Sequence, residues 1–238
     1  VAVLSLVATA LVMRFRPAYW AVQAGLLAGA VFYQASYITD YTPLKPTQAK
    51  SASDNRAKNR VRLLVCNIRM ENRDAVSFVD LVRRTQPDLV LVNEPDAWWT
   101  SQLRALHPKY PHRLLYPLPN TYDIGLFSRL PLLDSRVRFL VEPDVPSLWT
   151  AVRLPTGNTF DLYCLHPRPP KPGTQSYERD AELLLVGRHL RQTNRPAVVA
   201  GDMNDVGWSR TSRLFQRYSG LVDPRRGRGL YNTYSTFV

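Results

Sequence analysis

The chain has 238 residues and a formal net charge of +12, with a pI near 10.0. That length holds one ordinary domain plus an appendage, and the basic excess points to an anionic partner: nucleic acid, a phosphorylated small molecule or a lipid headgroup surface. The two cysteines, Cys66 and Cys164, lack the spacing of a zinc site and sit in apolar runs, so they are expected to be buried free thiols.

The sequence opens on Val1 inside an apolar run, which reads as a fragment. Residues 1–13 carry no charge and resemble the tail of a membrane helix. A short basic turn at Arg14-Phe-Arg16-Pro17 follows. Residues 17–39 are again uncharged and numerous enough to cross a bilayer. Tyr19 and Trp20 near one end, with Tyr33 and Tyr37 near the other, suit interfacial aromatic belts. Transmembrane helices are therefore expected over 1–39, the first one truncated; a buried core helix is the alternative. Arg14 and Arg16 favour a cytoplasmic turn, whereas Lys45, Lys50, Arg56, Lys58 and Arg60 argue for the opposite orientation. Residues 40–60 are polar, with Pro, Ser and Lys and no apolar period, and read as a linker.

From Val61 onward the pattern is a globular mixture of strands and helices. Val61 to Cys66 is predicted as a strand ending in Asn67. Asp74 can cap a helix whose apolar positions are Ala75, Val76, Val79 and Val82. A buried strand is predicted at Leu89–Val92, followed by Asn93-Glu94-Pro95 and a helix over 96–106 starting at Asp96. Further strands are expected at Asp123–Ser128, Leu148–Leu154 and Phe160–Leu165, the last ending in His166-Pro167. Ser176–Arg191 is a long amphipathic helix with Leu183, Val186, Gly187 and Leu190 on one side. The strand Pro196–Ala200 then leads into Gly201-Asp-Met-Asn204, and a helix is expected from Trp208 to Tyr218.

Four of these strands finish in polar side chains: Asn67, Glu94, His166, and Asp202 with Asn204. Taken singly, each has a plain reading as a turn, a cap or a solvated loop residue. Taken together, they can converge on one sheet rim. Carboxylates with amide partners make a hard, oxygen-rich site of the kind that holds Mg²⁺ while leaving it water ligands. A histidine adds a donor or a proton near neutral pH. These are the parts that hydrolysis of a phosphate ester needs.

Asn67 after a strand, Asn93-Glu94, Tyr122-Asp-Ile-Gly-Leu-Phe-Ser-Arg-Leu-Pro131, His166-Pro-Arg-Pro-Pro170 and Gly201-Asp-Met-Asn204 together resemble the successive motifs of the endonuclease/exonuclease/phosphatase superfamily. The resemblance covers roughly 61–238, in the right order. The His-Pro-x-Pro-Pro form and the preceding apolar segments look most like bacterial membrane-anchored members of the deoxyribonuclease-like branch. The resemblance implies that Glu94 is the principal Mg²⁺ ligand (Mn²⁺ being the alternative ion) and Asn67 a second ligand or a phosphate contact. It implies that Asp202 orients or activates the attacking water, that Asn204 binds the scissile phosphate, and that His166 hydrogen-bonds phosphate. The Tyr122–Pro131 motif is mostly structural in that family. Arg179 can reach the site, but a salt bridge along its own helix with Glu178, Asp180 or Glu182 is the simpler expectation.

One departure stands out. Members of the family end in a strand preceded by Asp-His, and this sequence stops at Val238 apparently short of it, while His107, His112 and His189 are placed wrongly to substitute. The sequence is thus read as truncated at both ends, and this stretch alone as inactive even where its parent is an enzyme.

The alternating elements alone suggest a parallel doubly wound sheet. The resemblance implies instead an α+β fold: two packed, mainly antiparallel β-sheets flanked by helices in a four-layer sandwich, preceded by the transmembrane helices. The domain expected over 61–238 lacks its C-terminal strand. The expected function is a membrane-anchored, Mg²⁺-dependent phosphoesterase acting on phosphodiester or phosphomonoester bonds. Its substrate is nucleic acid or a phospholipid headgroup, at a bacterial inner membrane with the domain on the extracytoplasmic side. A catalytically inactive phosphate-binding module is the alternative from another class.

Overall fold

Strands that bury both faces need apolar residues at every position, and Leu89-Val-Leu-Val92 is such a run. In the computed structural model these four residues are fully buried at the centre of a sheet. The structure describes residues 5, 7, 8, 10, 17–51, 60–118, 121–170, 173 and 175–231. The chain divides into two compact units, residues 52–221 and residues 1–51 with 222–238.

The larger unit carries two four-stranded sheets. The first contains β1 (Leu63–Asn67), β2 (Leu89–Asn93), β3 (His112–Tyr116) and β4 (Ile124–Ser128), in the order β1-β2-β4-β3. The second contains β5 (Leu132–Phe139), β6 (Pro146–Arg153), β7 (Thr159–Leu165) and β8 (Ala197–Gly201), in sequential order. β1 pairs with β2 in parallel, and so does β7 with β8; every other pairing is antiparallel. The mainly antiparallel expectation therefore stands, with one parallel pair in each sheet.

Side-chain alternation along β2 shows how the layers are built. Leu89 and Leu91 point into a core shared with Leu148, Val152, Leu162, Cys164 and Ala200 of the other sheet. Val90 and Val92 face the opposite way, into a core formed with Phe78, Val79, Val82, Trp99 and Leu103. Those residues belong to α2 (Ala75–Thr85), α3 (Ala97–Gln102) and the 3-10 turn Leu103–Leu106 that continues it. On the far side, Tyr163 and Leu165 pack on Leu183, Val186 and Leu190 of α4 (Tyr177–Arg191), with Phe215 of α5 (Arg210–Ser219) against the same cluster. The result is helix, sheet, sheet, helix. At about 1.5–3 kcal/mol per fully buried large apolar side chain, the inter-sheet layer is a principal source of stability.

Local signals place the helix starts where the sequence predicts. Asp74 accepts the Ser77 N–H at 3.0 Å, and Asp96 accepts the Trp99 N–H at 2.8 Å. One apolar position of α2 differs: Val76 is exposed, and Phe78 takes the buried place beside Ala75, Val79 and Val82. Two strands escape the sequence reading. β3 lies at a sheet edge, and β5 breaks its register between Leu133 and Arg136 with Asp134 at φ 50°. A bulge of this kind disrupts the alternation by which a strand is recognised. Both cysteines are free; Cys164 is buried as expected, whereas Cys66 is only partly so.

In the smaller unit, α1 (Pro17–Ile38) is a 22-residue helix. Among the described residues, however, no helix is long and apolar enough to cross a membrane. The span expected over 17–39 is uncharged without being strongly apolar, because Gln23, Gln34 and the tyrosines dilute it. Most of residues 1–16, where the first membrane helix was expected, lies outside the described residues, as do 52–59 of the expected linker. Residues 40–49 engage the segment 223–228: Gly227 N–H donates to Asp40 O (2.9 Å), Arg226 pairs with Asp40, and Arg228 donates to Ala49 O (2.7 Å). A Cβ on Gly227 would come within 2.6 Å of the Pro46 backbone.

Glu182 on α4 gives the larger unit a measurable pH dependence. It is buried and accepts the Ser147 hydroxyl at 2.7 Å. Burial raises its carboxyl from 4.5 to about 7, more than the Ser147 hydrogen bond lowers it. Because the folded state holds this proton more tightly than the unfolded state, stability is full below pH 4.5 and declines as pH rises towards and through 7. Glu182→Gln is expected to remove that decline, recovering on the order of 2–3 kcal/mol at pH 8. Urea denaturation of both proteins at pH 5 and pH 8 measures it.

Candidate active site

The two parallel pairs are the structural reason for the site. Parallel neighbours finish at the same edge, so Asn67 lies beside Asn93 and Leu165 beside Gly201 in register. β8 approaches β1 and β2 across the inter-sheet layer, which brings the C-terminal ends of both pairs to one rim. All five side chains predicted for the site meet there.

Asn67 is the hub. Its amide nitrogen donates to Glu94 Oε1 at 2.7 Å and to Asp202 Oδ2 at 3.0 Å. Its oxygen accepts the Arg69 N–H at 2.9 Å. Asn67 thus presents N–H groups to the two carboxylates. Glu94 takes the left-handed conformation (φ 64°), and its N–H donates to Asp123 O at 2.9 Å. Asp202 Oδ1 accepts the Asn204 N–H at 3.0 Å. Asn204 is also left-handed (φ 48°), a region that asparagine tolerates better than most residues. It commits one amide N–H to Pro167 O at 2.9 Å and retains a second.

His166 is 2% exposed, with Nε2 3.8 Å from Glu94 Oε1. Burial lowers its pKa below the ordinary 6.5, against the opposing pull of Asp202 and Glu94. Among the described residues no partner reaches its buried Nδ1. The ring is therefore neutral near pH 7, with one N–H and one lone pair to offer.

Several residues of the rim are given no site role by the sequence, and Arg179 only a secondary one beside a salt bridge on its own helix. Asn93 is fully buried, and its Oδ1 accepts the Asp202 N–H at 3.3 Å, tying the end of β8 to the end of β2. The sequence places it just after the strand, in Asn93-Glu94-Pro95, without a role; an amide closing an apolar run was the available signal. Asp123 lies under Glu94, and burial raises its carboxyl to about 7 although it accepts the Leu118 N–H. Arg168 spans Glu142 and Asp144 and lies over the Tyr122 ring, 4.8 Å from its centroid. Arg179 bonds both Asp180 on its own helix and the carbonyl of Asn204. A pocket of about 320 Å³ opens beside the rim, lined by Glu142, Arg168, Gln175, Ser176, Glu178 and Arg179.

Among the described residues no group of three or more His, Cys, Asp and Glu side chains forms a metal cage. The donors present are two carboxylates joined through one amide, with a buried imidazole alongside. That set fits a hard divalent cation, which is commonly held by one or two carboxylates and completes its shell with water and substrate oxygens.

A family model described as the Endonuclease/Exonuclease/phosphatase family matches residues 64–238. The chain belongs to that family. Its fold is similar to D. rerio TDP2 complexed with a single-stranded DNA product (TM-score 0.54, 19% identity, 62% of each chain covered). Sphingomyelinase C from Streptomyces griseocarneus is also similar (TM-score 0.58, 13% identity, 68% of this chain and 70% of that one). So is the human Nocturnin catalytic domain (TM-score 0.56, 17% identity, 67% and 70%). The chain spans about 62% of the length of the D. rerio TDP2 chains it matches. No curated protein sequence matches it significantly.

Gly201 tests the geometry of the rim. Its φ is 137°, and a Cβ would lie 1.8 Å from the Leu165 carbonyl oxygen. Gly201→Ala must force β7 and β8 apart, and is expected to cost more than about 3 kcal/mol or to prevent folding. Thermal melts of the purified variant measure the loss.

Proposed function

We propose that this chain carries the rim of a divalent-cation-dependent phosphoesterase that cleaves phosphodiester or phosphomonoester bonds. The observation that carries the reading is the single Asn67 amide donating to Glu94 and Asp202, carboxylates supplied by different sheets. Two negative side chains side by side on a chain of net charge +12 form a local site for a cation within a surface suited to an anion.

In this proposal Glu94 holds the cation, with Mg²⁺ the leading ion and Mn²⁺ the alternative, and Asn67 orients both carboxylates. When bound, the ion polarises a phosphoryl oxygen and offsets the charge that builds on it. Asp202 accepts a hydrogen bond from water and aims it at phosphorus, its own position fixed by the N–H groups of Asn67 and Asn204. The remaining Asn204 N–H contacts a non-bridging phosphate oxygen. His166, kept neutral by burial, donates a hydrogen bond to the phosphate instead of adding a full charge.

The substrate class in this reading is a nucleic acid or a phospholipid headgroup. TDP2 complexed with single-stranded DNA and sphingomyelinase C, both similar in fold, support these two choices. The exposed Leu26, Val31 and Phe32 of α1 support a location at a lipid surface, which would cover them.

Hydrolysis of bis(4-nitrophenyl) phosphate by the full-length protein is expected to require added Mg²⁺ or Mn²⁺ and to stop with chelator. Glu94→Gln is expected to abolish the metal-dependent rate, while Asp202→Asn and His166→Ala each lower it about 10²–10⁴-fold. A folded full-length protein that binds phosphate without hydrolysing any ester would favour the inactive binding module.

A further inference from the structure

We infer that Arg179 is a positioning residue: its guanidinium fixes the carbonyl of Asn204 and thereby sets the amide and the neighbouring Asp202 in place for catalysis. The inference rests on the phosphoesterase reading for its activity test, but not for its structural one.

Arg179 lies in the first turn of α4, and its side chain is 11% exposed. Nε and Nη2 both reach Asp180 Oδ1, at 3.0 and 2.7 Å, which anchors the planar fork. Nη1 is then directed at the Asn204 carbonyl oxygen, at 2.7 Å, and lies 3.6 Å from Asp205 Oδ1. Asp180 is itself held by the Ser176 hydroxyl at 2.8 Å. A chain of contacts therefore runs from the start of α4 to the loop that carries Asp202 and Asn204.

That loop needs an external hold. Asn204 is in the left-handed region, which offers no repeating backbone partner for its carbonyl. Its side chain bonds Pro167 O, and its N–H is used by Asp202. Asp205 ties the following residues to α5 through the Ser209 and Ser212 hydroxyls. The Asn204 carbonyl is the remaining backbone group, and Arg179 takes it. Lysine would not serve equally, because one ammonium cannot keep the two-nitrogen anchor on Asp180 and also present a fixed donor to the loop.

The test uses the full-length protein with Arg179→Ala and Arg179→Lys. Amide hydrogen exchange read across Met203–Val206 reports the loop directly, and melting temperature reports the fold. Both variants are expected to exchange faster in that segment with the rest of the protein unchanged. With bis(4-nitrophenyl) phosphate and Mg²⁺, kcat is expected to fall about 10–100-fold with KM little altered, as a displacement on the order of 1 Å would cause. Added guanidinium ion is expected to restore part of the Arg179→Ala rate. Unchanged exchange at Met203–Val206, or full activity in Arg179→Lys, would overturn the inference. A loss of activity matched by general loosening and a lowered melting temperature in both variants would overturn it too. Should the wild type hydrolyse nothing, the phosphoesterase reading fails on its own, and the exchange pattern still decides the role of Arg179.

Discussion

Two carboxylates cannot share a rim without something between them, and here that something is one amide group. Asn67 donates to Glu94 and Asp202 at once. Like charges held by one donor repel each other. Two charge-assisted hydrogen bonds from a neutral donor offset the repulsion while leaving further carboxylate lone pairs for other partners. Glu94 follows a strand of the first sheet and Asp202 one of the second. The same contact therefore joins the layers at the edge where chemistry would occur.

The surrounding network repeats this logic in the backbone. Asn93 holds the Asp202 N–H, Asp123 O takes the Glu94 N–H, and Pro167 O takes the Asn204 side chain. Each of these bonds fixes a group whose neighbour is a proposed catalytic residue. Buried polar networks are favourable only when nearly every member is satisfied, and the rim approaches that condition. The exceptions are the buried Asn93 Nδ2, Asp123 Oδ2 and His166 Nδ1. All three lie at or beneath the rim, whereas the apolar layers between and outside the sheets are built almost wholly of aliphatic and aromatic side chains.

Much of this was legible in sequence because each site residue breaks an apolar run. Asn67 closes its strand, and Glu94, His166 and Asp202 come directly after theirs, where mainly apolar runs give way to polar side chains, and the change of character marks them. What escaped depends on partners distant in the chain. Asn93 closes its strand just as Asn67 does, but its role comes from the N–H of a residue 109 positions away. β5 hides behind a bulge and β3 behind a half-exposed edge pattern. Arg179 was visible as a helix residue with an acidic neighbour, and that pairing with Asp180 does form. Its second bond, to Asn204, exists only because the fold brings α4 against the loop after β8. At the N-terminus the contrast is weaker: α1 lacks charge, but its glutamines and tyrosines supply polarity without charge.

The Asn67–Asp202 contact joins residues 135 positions apart in the chain. Bringing such distant segments together carries an entropic cost that local contacts do not. The cross-sheet contacts of the rim therefore exist only once both sheets have formed and docked. Any anion or cation that binds the completed rim binds the folded state alone, and mass action then converts its affinity into resistance to unfolding. The site thus acts as a clasp between the halves of the sandwich, and the occupant that closes it contributes to the integrity of the whole unit as well as to its chemistry.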